Sequence, residues 1–226
     1  MTIKEYPTQQ VLELACAAQR VNGRYLKEQE NKYADDGVLM YTEYPNRNLM
    51  LYTLSTRDVV PGMKALKVLP EDTAHAEEIK TYYKRLLFAA IDGENEFLVT
   101  INSILAAPTV KENQFGYVAC LPSVQARDVA HNRVKKAVRF AEAGYLGSIG
   151  EQLLDLDAEI ISSTKSKNFE GYNIDAIINN RMASWLNKAN LEIGPCVIVK
   201  AKVKDHNKHW KHGTDVTRLN YVRAVQ

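Results

Sequence analysis

Cysteine is scarce: Cys16, Cys120 and Cys196 are the three in 226 residues, at spacings that suggest no pairing. That argues against a disulfide framework and fits a reducing cytosol. Long apolar runs are missing as well, since none approaches the roughly 20 residues of a membrane-spanning helix. The opening stretch MTIKEYPTQQ has no basic segment leading into an apolar one, so no secretory leader is expected. The expected location is cytoplasmic, the host cytoplasm if the chain is viral, with no membrane partner. Excess charge of one sign is also lacking: 29 Lys and Arg face 27 Asp and Glu, a net charge of +2. The molecule is no polycation, so any nucleic-acid site has to be a local basic patch.

Catalytic signatures are absent too. There is no Walker-type glycine loop, no GxGxxG after a strand and no GxSxG elbow. Asp155 and Asp157 share one face of a strand, as paired carboxylates of a nuclease would, but acidic side chains outside a half-buried strand are the commoner case. His206, His209 and His212 are spaced three apart, and three imidazoles can bind a metal. No cysteine or carboxylate joins them at a zinc-finger spacing, so solvation or phosphate contact is the preferred reading. Cys120 sits in an apolar stretch and Cys196 begins one, where thiols are usually inert. No catalytic residue, metal or cofactor is expected, and the chain is read as non-enzymatic.

What is present is a globular composition, 46% hydrophobic, which supplies a sizeable core. The fold class expected is α+β. Residues 1–144 read as mainly helical with a small hairpin. Helices are predicted over 8–30, with Thr8 as N-cap and Gly23 as an end or kink, and over 71–92, 94–106 and 123–143. Residues 38–44 and 49–54, separated by Pro45-Asn46-Arg47-Asn48, read as the hairpin. Residues 115–121 read as a buried strand closed by Pro122. The helix over 123–143 carries Arg133, Lys135, Lys136 and Arg139, a secondary basic cluster.

Residues 145–226 change character. Leu154, Leu156, Ala158 and Ile160 alternate with Asp155, Asp157 and Glu159, and Tyr172, Ile174 and Ala176 alternate next. A short strand over 182–186 contains Trp185. In the next strand Val197, Val199, Ala201 and Val203 share one face, and Ile198, Lys200, Lys202 and Lys204 the other. A basic loop with Trp210 at its tip leads to a last strand with Thr217, Leu219 and Tyr221 on one side. Five short strands fit a small closed antiparallel barrel, because closure removes exposed edges.

A GxxG-like start at Gly147, an aromatic-bearing central strand around Trp185, and a closing hairpin reading VKAKVKDH, then a basic loop, then TRLNYV carry a resemblance. The segment Gly147 to Val222 is similar to an OB-like β-barrel module at the C-terminus of bacteriophage proteins of DNA metabolism. The resemblance implies binding of single-stranded nucleic acid in phage-type DNA replication or recombination. It names no reaction.

The residues make their own case beside it. Single-strand binders combine a basic groove with aromatic platforms. Lys200, Lys202, Lys204, Lys208, Lys211 and Arg218 are the candidate groove cations. Trp185, Trp210 and Tyr172 are candidate stacking rings, with Phe169 a further one. Trp185 and Phe169 also read as core residues, whereas Trp210, set among lysines and histidines, reads as a ligand contact. The partner expected is single-stranded nucleic acid, with replication proteins as further partners. The alternative is a protein-interaction factor, a replication accessory protein or a viral inhibitor of a host machine, with the barrel as its docking surface.

Overall fold

The computed structural model describes residues 4–55, 62–91, 95–166, 168–209 and 212–226. The fold is α+β, and the chain divides into two compact units, Met1–Arg127 and Asp128–Gln226. Among the described residues no helix is long and apolar enough to cross a membrane.

The first unit begins with a short strand, β1 (Glu5–Pro7), and then α1 (Thr8–Asn22). Val11, Leu12, Leu14, Ala15 and Ala18 bury one helical face, and Gly23 ends the helix in the left-handed conformation at φ 66°. Thr8 does not cap it. Pro7 holds the cap position, and the Thr8 hydroxyl donates instead to the carbonyl of Ala107.

Beyond Gly23 the helix predicted to residue 30 is replaced by a loop and β2 (Glu30–Tyr33), which pairs antiparallel with β3 (Leu39–Glu43). The hairpin therefore spans 30–43. Residues 46–54, predicted as its second strand, form α2 (Asn46–Leu54). Pro45 leads into this helix at φ −52°, and the buried Asn46 side chain accepts the Leu26 N–H at 2.9 Å. Short apolar runs fit either period, and here the tertiary contacts of Asn46 favour the helix.

The long helix α3 (Pro70–Ile91) follows, with Glu71 and Asp72 in its first turn where the helix dipole favours acids. In α4 (Glu96–Ala106) the Asn95 side chain accepts the Leu98 N–H, and the helix stops before Pro108. The strand β4 (Thr109–Lys111) pairs antiparallel with β1. Next comes α5 (Phe115–Phe140), a single helix running through Pro122. The strand predicted over 115–121 is overturned here. Phe115, Val118, Ala119 and Leu121 are buried at helical spacing, so one continuous face packs despite the missing proline N–H. Tyr83, Phe115, Leu12, Met50, Ile79, Ile101 and Leu121 are among the large, fully buried side chains of this unit. Each contributes roughly 1.5–3 kcal/mol by leaving water.

The second unit is a closed five-stranded barrel behind the C-terminal turns of α5. Its strands are β5 (Gln152–Lys165), β6 (Tyr172–Ile178), β7 (Arg181–Asn187), β8 (Gly194–Lys208) and β9 (Asp215–Val225). They close in the order β5-β6-β7-β9-β8. The barrel is mixed, not wholly antiparallel, because β7 and β9 run parallel. A closed barrel of five strands is compatible with an OB-like fold. Ile160, Ile174, Ile178, Trp185, Ile198 and Val203 lie in its core.

The alternation predicted for β8 holds for only half the strand. Cys196 and Ile198 point inward at its start, Ala201 and Val203 further on, and Val197 is exposed. The phase flips at a register shift between Ile198 and Lys200. On the neighbouring strand Asp155 adopts φ 49°, so Leu153 and Leu156 pack on the core while Leu154 is exposed. Both strands change phase at the same level, so their pairing keeps one register, while β8 is bulged against β9.

Candidate nucleic-acid interface

Side chains out of phase with Ile174, Ala176, Ala183 and Trp185 form the outer face of β6 and β7. Part of the barrel's outside is covered: Ile161, Met182 and Val216 pack under Ala137, Val138 and Ala141 at the end of α5. Beyond that cover the face opens into a groove of about 1220 Å³. Asn173 and Asp175 of β6, Ser184 and Leu186 of β7, and Arg218 of β9 line its floor. Lys165 at the end of β5, Ser166, Asn168 and Phe169 from the β5–β6 connection, and Lys204, Asn207, Lys208 and His209 from β8 and its end supply its walls.

Register explains why these residues meet. Asp175 stands opposite Ser162 of β5 and Ser184 of β7, and Ser184 stands opposite Arg218 of β9. The result is a transverse row of hydroxyl, carboxylate, hydroxyl and guanidinium across four strands. The wall beside it is fixed by Gly171, which has φ 126°. A Cβ there would come within 2.4 Å of the Asn187 carbonyl oxygen, so the connection can lie this close to β7 only with glycine. Ser166 N–H donates to the Gly171 carbonyl at 2.9 Å, and within this turn Phe169 is 67% exposed.

The groove contains Lys204, Lys208, Arg218 and Trp185 of the predicted site. Lys200 and Lys202 share the outward face of β8 with Lys204 but stand opposite Arg223 and Asn220, outside the groove. Tyr172 does not line it either; its ring packs on the barrel core. Trp185 lines the groove while only 5% exposed, so its ring is a core element and no stacking platform. Phe169 is the exposed ring, which corrects its reading as a core residue. Trp210 and Lys211 lie outside the described residues. Arg133, Lys135, Lys136 and Arg139 are all exposed on α5 and are not among the residues that line the groove.

Two charges in the groove are not what their residue types promise. Lys208 is ion-paired with Asp215 across the β8–β9 register. That contact, the Gly144 N–H at 2.9 Å and the Tyr145 hydroxyl hold the Asp215 carboxyl at about 2. Asp175 behaves oppositely: burial pushes its carboxyl up to about 6, against one hydrogen bond from Ser162. Sequence reasoning passed over both Lys165 and Asp175. Lys165 is a lone lysine at the end of a strand, with no basic neighbour in that strand to mark it. Asp175 reads as an outward residue of an alternating strand, with nothing local to mark its burial.

The histidines are taken up by packing. His206 stacks on Tyr145 at 4.2 Å and contacts the Gly147 carbonyl at 3.1 Å. His212 stacks between His209, at 4.9 Å, and His131 of α5, at 6.0 Å. Among the described residues no three His, Cys, Asp or Glu side chains are placed to hold one metal ion. Asp155 pairs with no residue of β8, while Asp157 stands opposite Val197. Set against protein-family models, curated proteins and solved structures, the chain matches none.

Proposed function

We propose that the protein binds single-stranded nucleic acid, DNA foremost, along the barrel groove and catalyses no reaction on it. One observation carries the reading. Lys165, Lys204 and Arg218, which form no ion pair among the described residues, line one groove with the exposed ring of Phe169. Single-strand sites need that combination, and each base stacked on an aromatic contributes roughly 1–3 kcal/mol. The location supports it as well. Outer faces of the second and third strands, flanked by the first and last hairpin connections, are where OB-type barrels take oligonucleotides. The resemblance of residues 147–222 implies a role in phage-type DNA replication or recombination.

The test is fluorescence anisotropy of a labelled oligothymidylate across a salt series. Three neutralised phosphates give a slope of log affinity against log salt of about −2. Reversing Lys165, Lys204 and Arg218 to Glu is expected to abolish binding, whereas Lys200→Glu with Lys202→Glu retains most of it. If the triple variant binds like wild type, the groove is not the site.

A second reading, a protein-interaction factor, has its own observation. The β2–β3 hairpin exposes Tyr33, Val38, Leu39, Met40 and Tyr41 together, and exposed apolar clusters mark protein contacts. It predicts no retardation of any oligonucleotide even at low salt.

A further inference from the structure

A carboxylate is out of place in a groove built for a polyanion. Asp175 sits in the floor with the Ser162 hydroxyl as its hydrogen-bond partner and, among the described residues, no cation close enough to offset its burial. An ionised carboxylate only accepts hydrogen bonds. A strand entering the groove must therefore bring donors to Asp175 or be repelled by it. Phosphates bring none, nor does deoxyribose, so in a DNA strand the group facing Asp175 has to be a base edge.

The bases differ in what they offer. The Watson–Crick edge of guanine carries two adjacent parallel donors, N1–H and N2–H, which match the two oxygens of one carboxylate. Adenine and cytosine each offer a single amino group, and thymine or uracil a single N3–H. Guanine also brings O6, an acceptor. Trp185 cannot meet it, because its indole N–H is buried on the inward face. Arg218 stands two strands away in the same row, about 10 Å at ordinary strand spacing. That leaves the phosphate of the same nucleotide to the guanidinium, and a base face to Phe169.

We infer that the groove is base-selective and seats an unpaired guanine with its Watson–Crick edge on the Asp175 carboxylate and its phosphate toward Arg218. The inference rests on the single-strand reading above and names the ligand class of that same site.

The probe is a labelled oligothymidylate carrying one central guanine, adenine, cytosine, inosine or thymine. Wild type is expected to prefer the guanine strand by about tenfold, within what a bidentate base contact discriminates. Inosine, which lacks the N2 amino group, falls between guanine and thymine. Asp175→Asn is expected to lose the guanine preference while binding oligothymidylate more tightly, since a repelling charge has gone. Arg218→Ala weakens every strand alike. Should the Asn variant fail to fold, the wild-type inosine series stands alone, as does the loss of preference when pH falls through about 6. Equal affinity for all five strands overturns the inference and leaves single-strand binding standing. A guanine preference that survives Asp175→Asn also overturns it. No binding of any strand at low salt overturns both.

Discussion

In the N-terminal unit Arg20 is held by Asp72 at 2.8 Å, and Arg24 lies between Glu30 and Glu43 at 2.6 and 2.8 Å. In the barrel Lys165, Lys204 and Arg218 form no ion pair among the described residues. The first set of charges serves its own fold. Arg20 joins α1 to the start of α3, and although burial alone would raise the Asp72 carboxyl, the Arg20 and Leu69 hydrogen bonds hold it below the ordinary range. The second set is committed to no ion pair among the described residues. Only cations of the second kind can displace condensed counterions from a nucleic-acid strand, so a net charge of +2 understates what one face of the barrel offers.

The contrast breaks most visibly through binding. Reversal of Lys165, Lys204 and Arg218 is expected to lower affinity for oligothymidylate by about a hundredfold or more at low salt. Replacing Arg20 and Arg24 by Gln is expected to leave it unchanged. A loss of similar size in both variants would erase the distinction.

Stability sharpens it from the other side. Arg20→Ala leaves the Asp72 carboxylate, 3% exposed, without its charged partner and is expected to cost about 2–3 kcal/mol in denaturant unfolding. Lys204→Ala is expected to stay within about 0.5 kcal/mol.

The smallest effects are pH-dependent and have opposite signs within the barrel. Asp175 has a folded-state carboxyl raised to about 6, above the ordinary value of about 4. Its contribution is full below that ordinary value and is lost as pH rises through about 6. Asp175→Asn should therefore raise thermal stability at pH 8 by about 1–2 kcal/mol and change little at pH 4. Asp215, held at about 2 chiefly by Lys208, contributes above the ordinary value and loses its contribution as pH falls through about 2. Asp215→Asn should weaken the barrel slightly at pH 7 and not at pH 2.

The barrel was legible because period-two patterning and turn residues mark each strand. Tyr172, Ile174 and Ala176, for example, alternate as expected, with Ile174 and Ala176 fully buried. What local pattern could not show was the phase change beside Val199, which put Ile198 in the core and Val197 outside. Nor could it show that residues 115–121, apolar enough for a strand, continue into α5 through Pro122. The site was half legible for the same reason. Residue type marked Lys204 and Arg218, but burial decided between Trp185 and Phe169, and burial is set by strands far apart in the chain. Asp175 owes its position to β5 and β7 on either side of it.

The bulge in β8 makes this strand sensitive to number more than to kind. An apolar residue there can be exchanged for another of similar size at modest cost. Away from the phase break, excising a single residue such as Lys202 would set Ala201 and Val203 side by side and turn one of them to water. A one-residue deletion at that point should therefore do more harm than any conservative replacement along the same strand.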